Sequence, residues 1–385
     1  MKRKYIQDHN PVTFSFKPTR DDFIVDEIPL YEAGKSGNYV HFHIRKIDMS
    51  TLELIAILEE QTKFRNISYA GLKDKYATTT QYISMPASYE KYFAKFKHPQ
   101  IKILGSSLHK EKLNIGDLNG NRFKIRLRDV TPGAAEKLDK VLAEIVRHGV
   151  PNYFGYQRFG QDENHFEKAQ EAAHGSKMFK DRRLNKLMSN AYQSYLFNDW
   201  LVERVQLSKE LDYMDLDAFE KKWGLTRDEV SQIQAQSSIF KVLPGDIMLD
   251  VANNKWVNVK DLASIKKPYK ERKLQPTGML VGNKVWRSRD AAGAIEARHD
   301  DDEVAMAGER RVAWIYPKEI KSKYIKKESI YELSFALPKG AYATVLLENL
   351  ANRDVENVKE MKTEKKKFTP VRFDDPDDDD DEYED

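Results

Sequence analysis

Lys73, Asp74 and Lys75 lie at the centre of a stretch whose residue types could do chemistry, Tyr69-Ala70-Gly71-Leu72-Lys73-Asp74-Lys75-Tyr76-Ala77-Thr78-Thr79-Thr80-Gln81. A carboxylate between two ammonium groups is kept ionised by opposite charge. In that state it can act as a nucleophile or stabilise a developing cation. Ile67 and Tyr69 predict a short buried strand, and the Thr-rich run into Tyr82, Ile83 and Ser84 predicts a second, with Asp74 in the bend between them. Gly71 is expected to let the backbone turn tightly there. On these three charged residues alone the plainer reading, a turn Asp with solvated Lys neighbours, is favoured.

The elements that must position this stretch are legible around it. Phe14-Ser15-Phe16-Lys17 and then Phe23 to Ile28 read as strand, turn, strand. Val40, Phe42 and Ile44 alternate with His41, His43 and Arg45, which predicts a half-exposed strand. Ser50-Thr51-Leu52-Glu53 is a capping box opening a helix with Leu54, Ile55, Ile57 and Leu58 toward a core. In Arg122-Phe123-Lys124-Ile125-Arg126-Leu127-Arg128 the period is two, so one face packs and four cations on the other suit phosphates. Thr131-Pro132 starts a helix with the stripe Leu138, Val141, Leu142, Ile145 and Val146. A further helix through Leu187 to Phe197 is apolar on most sides, and its Met and aromatic residues read as packing.

Composition excludes several classes of function. The 385 residues suffice for two domains, and 40% hydrophobic with 11% aromatic residues fits a globular chain. No Cys is present, which rules out disulfides, thiolate metal sites and thiol nucleophiles. Met1-Lys2-Arg3-Lys4 is followed by no apolar run, and no stretch of about eighteen apolar residues occurs, so neither a signal peptide nor a membrane span is expected. A cytoplasmic protein is expected. Gly34-Lys35-Ser36 suggests a phosphate loop, but the pattern needs Gly at position 29, which is Pro. His41 and His43 share a face without a third ligand, and Asp300-Asp301-Asp302-Glu303 is a contiguous run that reads as a solvated helix end, so no metal is expected. The net charge of +3 conceals an asymmetry: residues 374–385 hold ten carboxylates, which leaves +13 on residues 1–373. A body that basic suits a polyanionic partner, while the tail is expected to be disordered and to compete with RNA for the basic surface.

Taken whole, Gly71, Lys73, Asp74, Ala77, Thr79 and Gln81 closely resemble the signature of the TruD family of tRNA pseudouridine synthases. Further segments resemble family motifs in the same order: Lys17, Asp22, Phe23 and Glu27; Asn121-Arg122-Phe123; Pro151 to Gly160, with Arg158; Pro276 to Leu280, as a turn; and Tyr331 to Thr344, with Phe335. Ala341 replaces the Ser that some members carry after the Gly. The resemblance implies an α+β fold, with a mixed, mainly antiparallel sheet in the catalytic domain, an inserted α/β TruD domain and a basic cleft between them. The implied division is 1–148 and 312–368 for the catalytic domain, 149–311 for the insertion and 369–385 for the acidic tail. It implies Asp74 as the catalytic residue, with Lys17, Phe23, Glu27, Lys73, Gln81, Asn121, Phe123, Arg158 and Phe335 on the substrate side. Lys17 would approach the carboxylate, Phe23 and Phe335 would line the base pocket, Phe123 would stack on the base and Asn121 would contact it. Either Lys17 or Lys73 would pair with Asp74.

The activity implied is isomerisation of uridine to pseudouridine in tRNA, at position 13, without a cofactor. The partner is tRNA, with other RNAs as further candidates; no protein partner is implied and a monomer is expected. Two rivals have other mechanisms: a non-catalytic RNA-binding or RNA-folding protein, and an Asp-dependent RNA glycosylase.

Overall fold

The computed structural model describes residues 3–6, 8–94, 96–159, 165–176 and 182–355. The acidic tail and the Lys-rich stretch 359–367 lie outside the described residues. By contacts the chain groups into two compact units: Phe14–Ala135 with Lys318–Gly340, and residues 3–13 with 136–317 and 341–355. The first holds β1 (Phe23–Pro29), β2 (Tyr39–Ile47), α1 (Thr51–Thr62), β3 (Ser68–Tyr69), β4 (Thr78–Pro86), β5 (Ile101–His109) and β6 (Leu118–Leu127). After α2 (Pro132–His148) come β7 (Val150–Pro151), α3 (His165–Ala173), α4 (Arg182–Glu210), α5 (Leu216–Trp223), α6 (Arg227–Gln234), β8 (Ile247–Asp250) and β9 (Lys255–Asn258). Next are α7 (Leu262–Lys270), β10 (Leu274–Leu280), α8 (Asp290–Glu296), β11 (Glu309–Val312) and β12 (Trp314–Ile315). Then β13 (Lys318–Ile325) and β14 (Ile330–Pro338) complete the first unit, and α9 (Ala343–Ala351) falls in the second. The fold is α+β, as the resemblance implied.

The sheet of the first unit runs β13-β14-β6-β1-β4-β2-β5, with β3 added on β4. Every pairing is antiparallel except that of β1 with β4. Val40, Phe42 and Ile44 are buried as their alternation predicts, and α1 covers that face. Leu54 and Leu58 of α1 are wholly buried against them, with Ile55 and Ile57 packed at the margin. Each such side chain contributes about 1.5–3 kcal/mol on removal from water. The capping box forms: the Ser50 hydroxyl accepts from the Glu53 N–H and the Glu53 carboxylate accepts from the Ser50 N–H.

The outward face of β6 carries its cations in ion pairs. Its cations are engaged by carboxylates from elsewhere in the unit: Arg122 by Glu319, Lys124 and Arg126 by Glu332, and Arg128 by Asp22 in a two-bond fork of 2.6 and 2.8 Å. Arg126 and Glu332 are direct cross-strand partners, a placement that favours opposite charges. The four cationic side chains remain about a third to a half exposed.

In the second unit β11-β10-β8-β9 form a four-stranded sheet and β12 pairs with β7. Pro276–Leu280, expected to be a turn, is strand β10. Gly278 is there for space: a Cβ would stand 2.2 Å from the Trp200 indole of α4. Arg3 makes a buried ion pair with Glu348, which ties the first residues of the unit to α9.

Candidate active site

The chain leaves β3 after Tyr69 and enters β4 at Thr78, and the residues between form an irregular loop carrying Asp74. The first turn of α1 grips that loop on both sides of the carboxylate. On one side the Lys73 N–H donates to the Thr51 hydroxyl at 2.8 Å, and that hydroxyl donates to the Gln81 amide oxygen at 2.9 Å. On the other side Lys75 Nζ donates to Glu53 at 2.6 Å. Gly71 has an ordinary φ, and an added Cβ would meet nothing nearer than Lys73 Nζ at 3.4 Å, so the turn does not rest on its conformational freedom.

Neither flanking Lys makes an ion pair with Asp74 among the described contacts. Lys73 is buried in an ion pair with Glu27, whose other carboxylate oxygen accepts from the Tyr82 N–H at 3.1 Å. That bond takes over where β1 and β4 stop pairing, at Asp26 and Thr80. Burial drives the Glu27 pKa up, and Lys73 opposes the rise. The cations acting on the Asp74 carboxyl are Lys46 and Lys73. Lys46 Nζ, on β2, donates to the Asp74 main-chain carbonyl at 2.9 Å and to the Met49 carbonyl. Asp74 is exposed, yet the protein around it raises its pKa by desolvation, and Lys46, Lys73 and its own backbone N–H work against that rise. The Asp74 side chain is crowded on most sides and open on one.

Three buried aromatic rings pack together on β1, β6 and β14. Val25, Phe123 and Phe335 are cross-strand neighbours on β1, β6 and β14. The Phe123 ring is 5.3 Å from Phe335 and 6.1 Å from Phe23, stacked on both. Asn121, two residues along β6 from Phe123 and hence on its face, is opposite Glu27. Its Oδ1 is buried with no hydrogen-bond partner among the described residues. Contact thus runs continuously from the Asp74 loop through Lys73 and Glu27 to Asn121 and the ring wall. The Asp74 carboxylate, with Lys46 and Lys73 acting on it, can stabilise positive charge on a sugar carbon, while the rings of Phe23, Phe123 and Phe335 on the same sheet are buried.

A family model described as tRNA pseudouridine synthase D (TruD) matches residues 2–168 and 228–350. The chain belongs to the TruD family. It is 42% identical to the tRNA pseudouridine synthase D of a Nitratiruptor species over 358 residues, covering 92% of this chain and 99% of that one. It is 41% identical to that of Wolinella succinogenes over 359 residues, again 92% and 99%. A solved TruD chain from Methanosarcina mazei superposes with a TM-score of 0.65 at 22% identity, covering 91% of this chain and 96% of that one, a likeness of fold.

The residues matching the TruD motifs are distributed as follows. Asp74, Lys73, Glu27, Gln81, Asn121, Phe23, Phe123 and Phe335 all fall in the first unit. Gln81 is fully buried, with its amide oxygen on Thr51, a place from which it holds the loop. Lys17 is exposed on the approach to β1. Arg158 belongs to the second unit, where its guanidinium donates to the Ser194 hydroxyl at 3.3 Å and lies over the Phe154 ring. Lys46 and Thr51 were missed from sequence. A signal for Lys46 existed: it continues the parity of Val40, Phe42 and Ile44, and a Lys at a core position needs a buried partner.

Proposed function

We propose that this chain isomerises uridine to pseudouridine in tRNA, at position 13, with Asp74 as the catalytic carboxylate. The bond from uracil N1 to C1′ breaks, the base turns, C5 bonds to C1′, the proton on C5 is lost and N1 gains one. Atoms and charge balance, so the reaction consumes nothing but rearranges the nucleotide. What most supports the reading is the open Asp74 carboxylate with Lys46 and Lys73 acting on it, contiguous with Asn121 and the Phe123 wall, in a chain of this family. Asp74 would trap or stabilise the anomeric carbon, or take the 2′ proton to give a glycal. Phe123 would offer the extruded base an apolar surface, with Phe335 behind it, once the flip has cost a few kcal/mol.

Tritium release from tRNA labelled at uracil C5 tests the proposal. The isomerase releases tritium and leaves the strand intact, a glycosylase leaves abasic sites, and a binding protein does neither. Asp74→Ala is expected to abolish release while leaving tRNA affinity within about tenfold, because phosphate contacts dominate affinity. Undiminished release by that variant removes Asp74 from the mechanism. A transcript altered only at uridine 13 reports the position.

A further inference from the structure

We propose that Lys46 is a positioning residue for the Asp74 carboxylate: its buried ammonium pins the main chain at residue 74 and supplies positive charge to the carboxyl beside it. The proposal rests on the reading of Asp74 as catalyst. Lys46 is 0% exposed, on the core face of β2, with Thr79 of β4 and Ile101 of β5 as its cross-strand neighbours. Removing an ammonium from water costs several kcal/mol unless it is compensated. Among the described residues its hydrogen-bond partners are two main-chain carbonyls, of Met49 and Asp74, rather than a carboxylate. Packing alone would be served better by Met or Leu at this position, as at Val40, Phe42 and Ile44. The two carbonyls chosen belong to the turn before α1 and to the loop that α1 grips, so one ammonium closes the frame around Asp74.

The electrostatics agree with the geometry. Burial, with Lys73 acting in the same direction and Asp74 and Glu53 against it, brings the Lys46 pKa down to about 8. These are the charged groups facing it from the 70–77 loop and from α1. The coupling is reciprocal, so Lys46 holds the Asp74 pKa down against desolvation.

Lys46→Met keeps length and removes the charge. Assayed as tritium release per folded enzyme, it is expected to lower kcat by about 10- to 100-fold, the cost of a misplaced reactive group, with KM for tRNA changed less than about threefold. The acid limb of its pH–rate profile is expected to move up by about one unit as Asp74 loses a cationic neighbour. A kcat and an acid limb equal to wild type would overturn the proposal. A variant that does not fold leaves a second measurement on the wild type and Asp74→Asn, the titration of 13C-labelled lysine side chains by NMR. The resonance titrating near pH 8 is expected to shift to lower pH in Asp74→Asn, and an unmoved midpoint overturns the proposal. Absence of tritium release by the wild type would instead strike the activity, and the lysine titration would still decide Lys46.

Discussion

Asn121 separates fold from function at the level of a single side chain. A buried acceptor left unpaired costs about 1–3 kcal/mol, and native chains carry few of them. Oδ1 of Asn121 is such an acceptor, placed between the Lys73–Glu27 pair and the Phe123 ring. On the proposed reading, that acceptor would take a hydrogen bond from the polar edge of the uracil. Asn121→Ala is therefore expected to change unfolding free energy by less than about 1 kcal/mol, since the loss of packing is offset by removal of the unpaired atom. The same change is expected to lower kcat/KM by about 10- to 100-fold, through loss of a base contact. Chemical denaturation and tritium release on one preparation check both halves. A large stability loss with normal activity would return Asn121 to the role of a sheet residue.

At the level of elements, α1 carries both the core and the loop. Glu53 serves as cap and as partner of Lys75, and the hydrogen bond from Lys75, followed by that from the Ser50 backbone, holds its carboxyl down at about 2 from an ordinary 4.5. A folded-state pKa below the unfolded value means stability that is complete above 4.5 and lost as pH falls toward 2. Both side chains are nearly half exposed, so solvent screening limits the contribution to below about 1 kcal/mol. Glu53→Gln is expected to be less stable than wild type at about pH 6 and to close most of that gap by about pH 3. Urea titrations at the two pH values test this, and a gap independent of pH would assign the effect to the neutral part of the cap.

The same elements show what sequence could and could not reveal. The capping box, the alternation of Val40 to Ile44 and the bend holding Asp74 rest on neighbours in the chain, and local periodicity exposes them. The partner of Lys73 is Glu27, 46 residues earlier, and those of the β6 cations are Asp22, Glu319 and Glu332. Such pairings are fixed by strand order, which no window of sequence contains. Pro276–Leu280 misled for a related reason. The turn was expected there only by resemblance; the segment lies in β10, where Gly278 answers to Trp200, a ring brought against it only by the fold.

For the whole molecule the governing quantity is the division of charge, +13 on residues 1–373 against ten carboxylates in residues 374–385. Both the tail and the tRNA are polyanions, and either can neutralise the same cations. If the tail occupies them, binding of RNA must displace it, and the observed affinity is reduced by that competition. A variant lacking residues 374–385 is then expected to bind unrelated RNA more tightly at about 50 mM salt. Its affinity should converge with that of the full chain by about 0.5 M, where screening shortens electrostatic reach to a few ångströms. Its slope of log affinity against log salt should be steeper, because more counterions are released per complex. Turnover of saturating tRNA should be unchanged, as Asp74 and its supports are untouched. Filter-binding isotherms across the salt series decide the matter. Coincident curves at the lowest salt would mean that the tail is solvated on its own and leaves the basic body open to RNA.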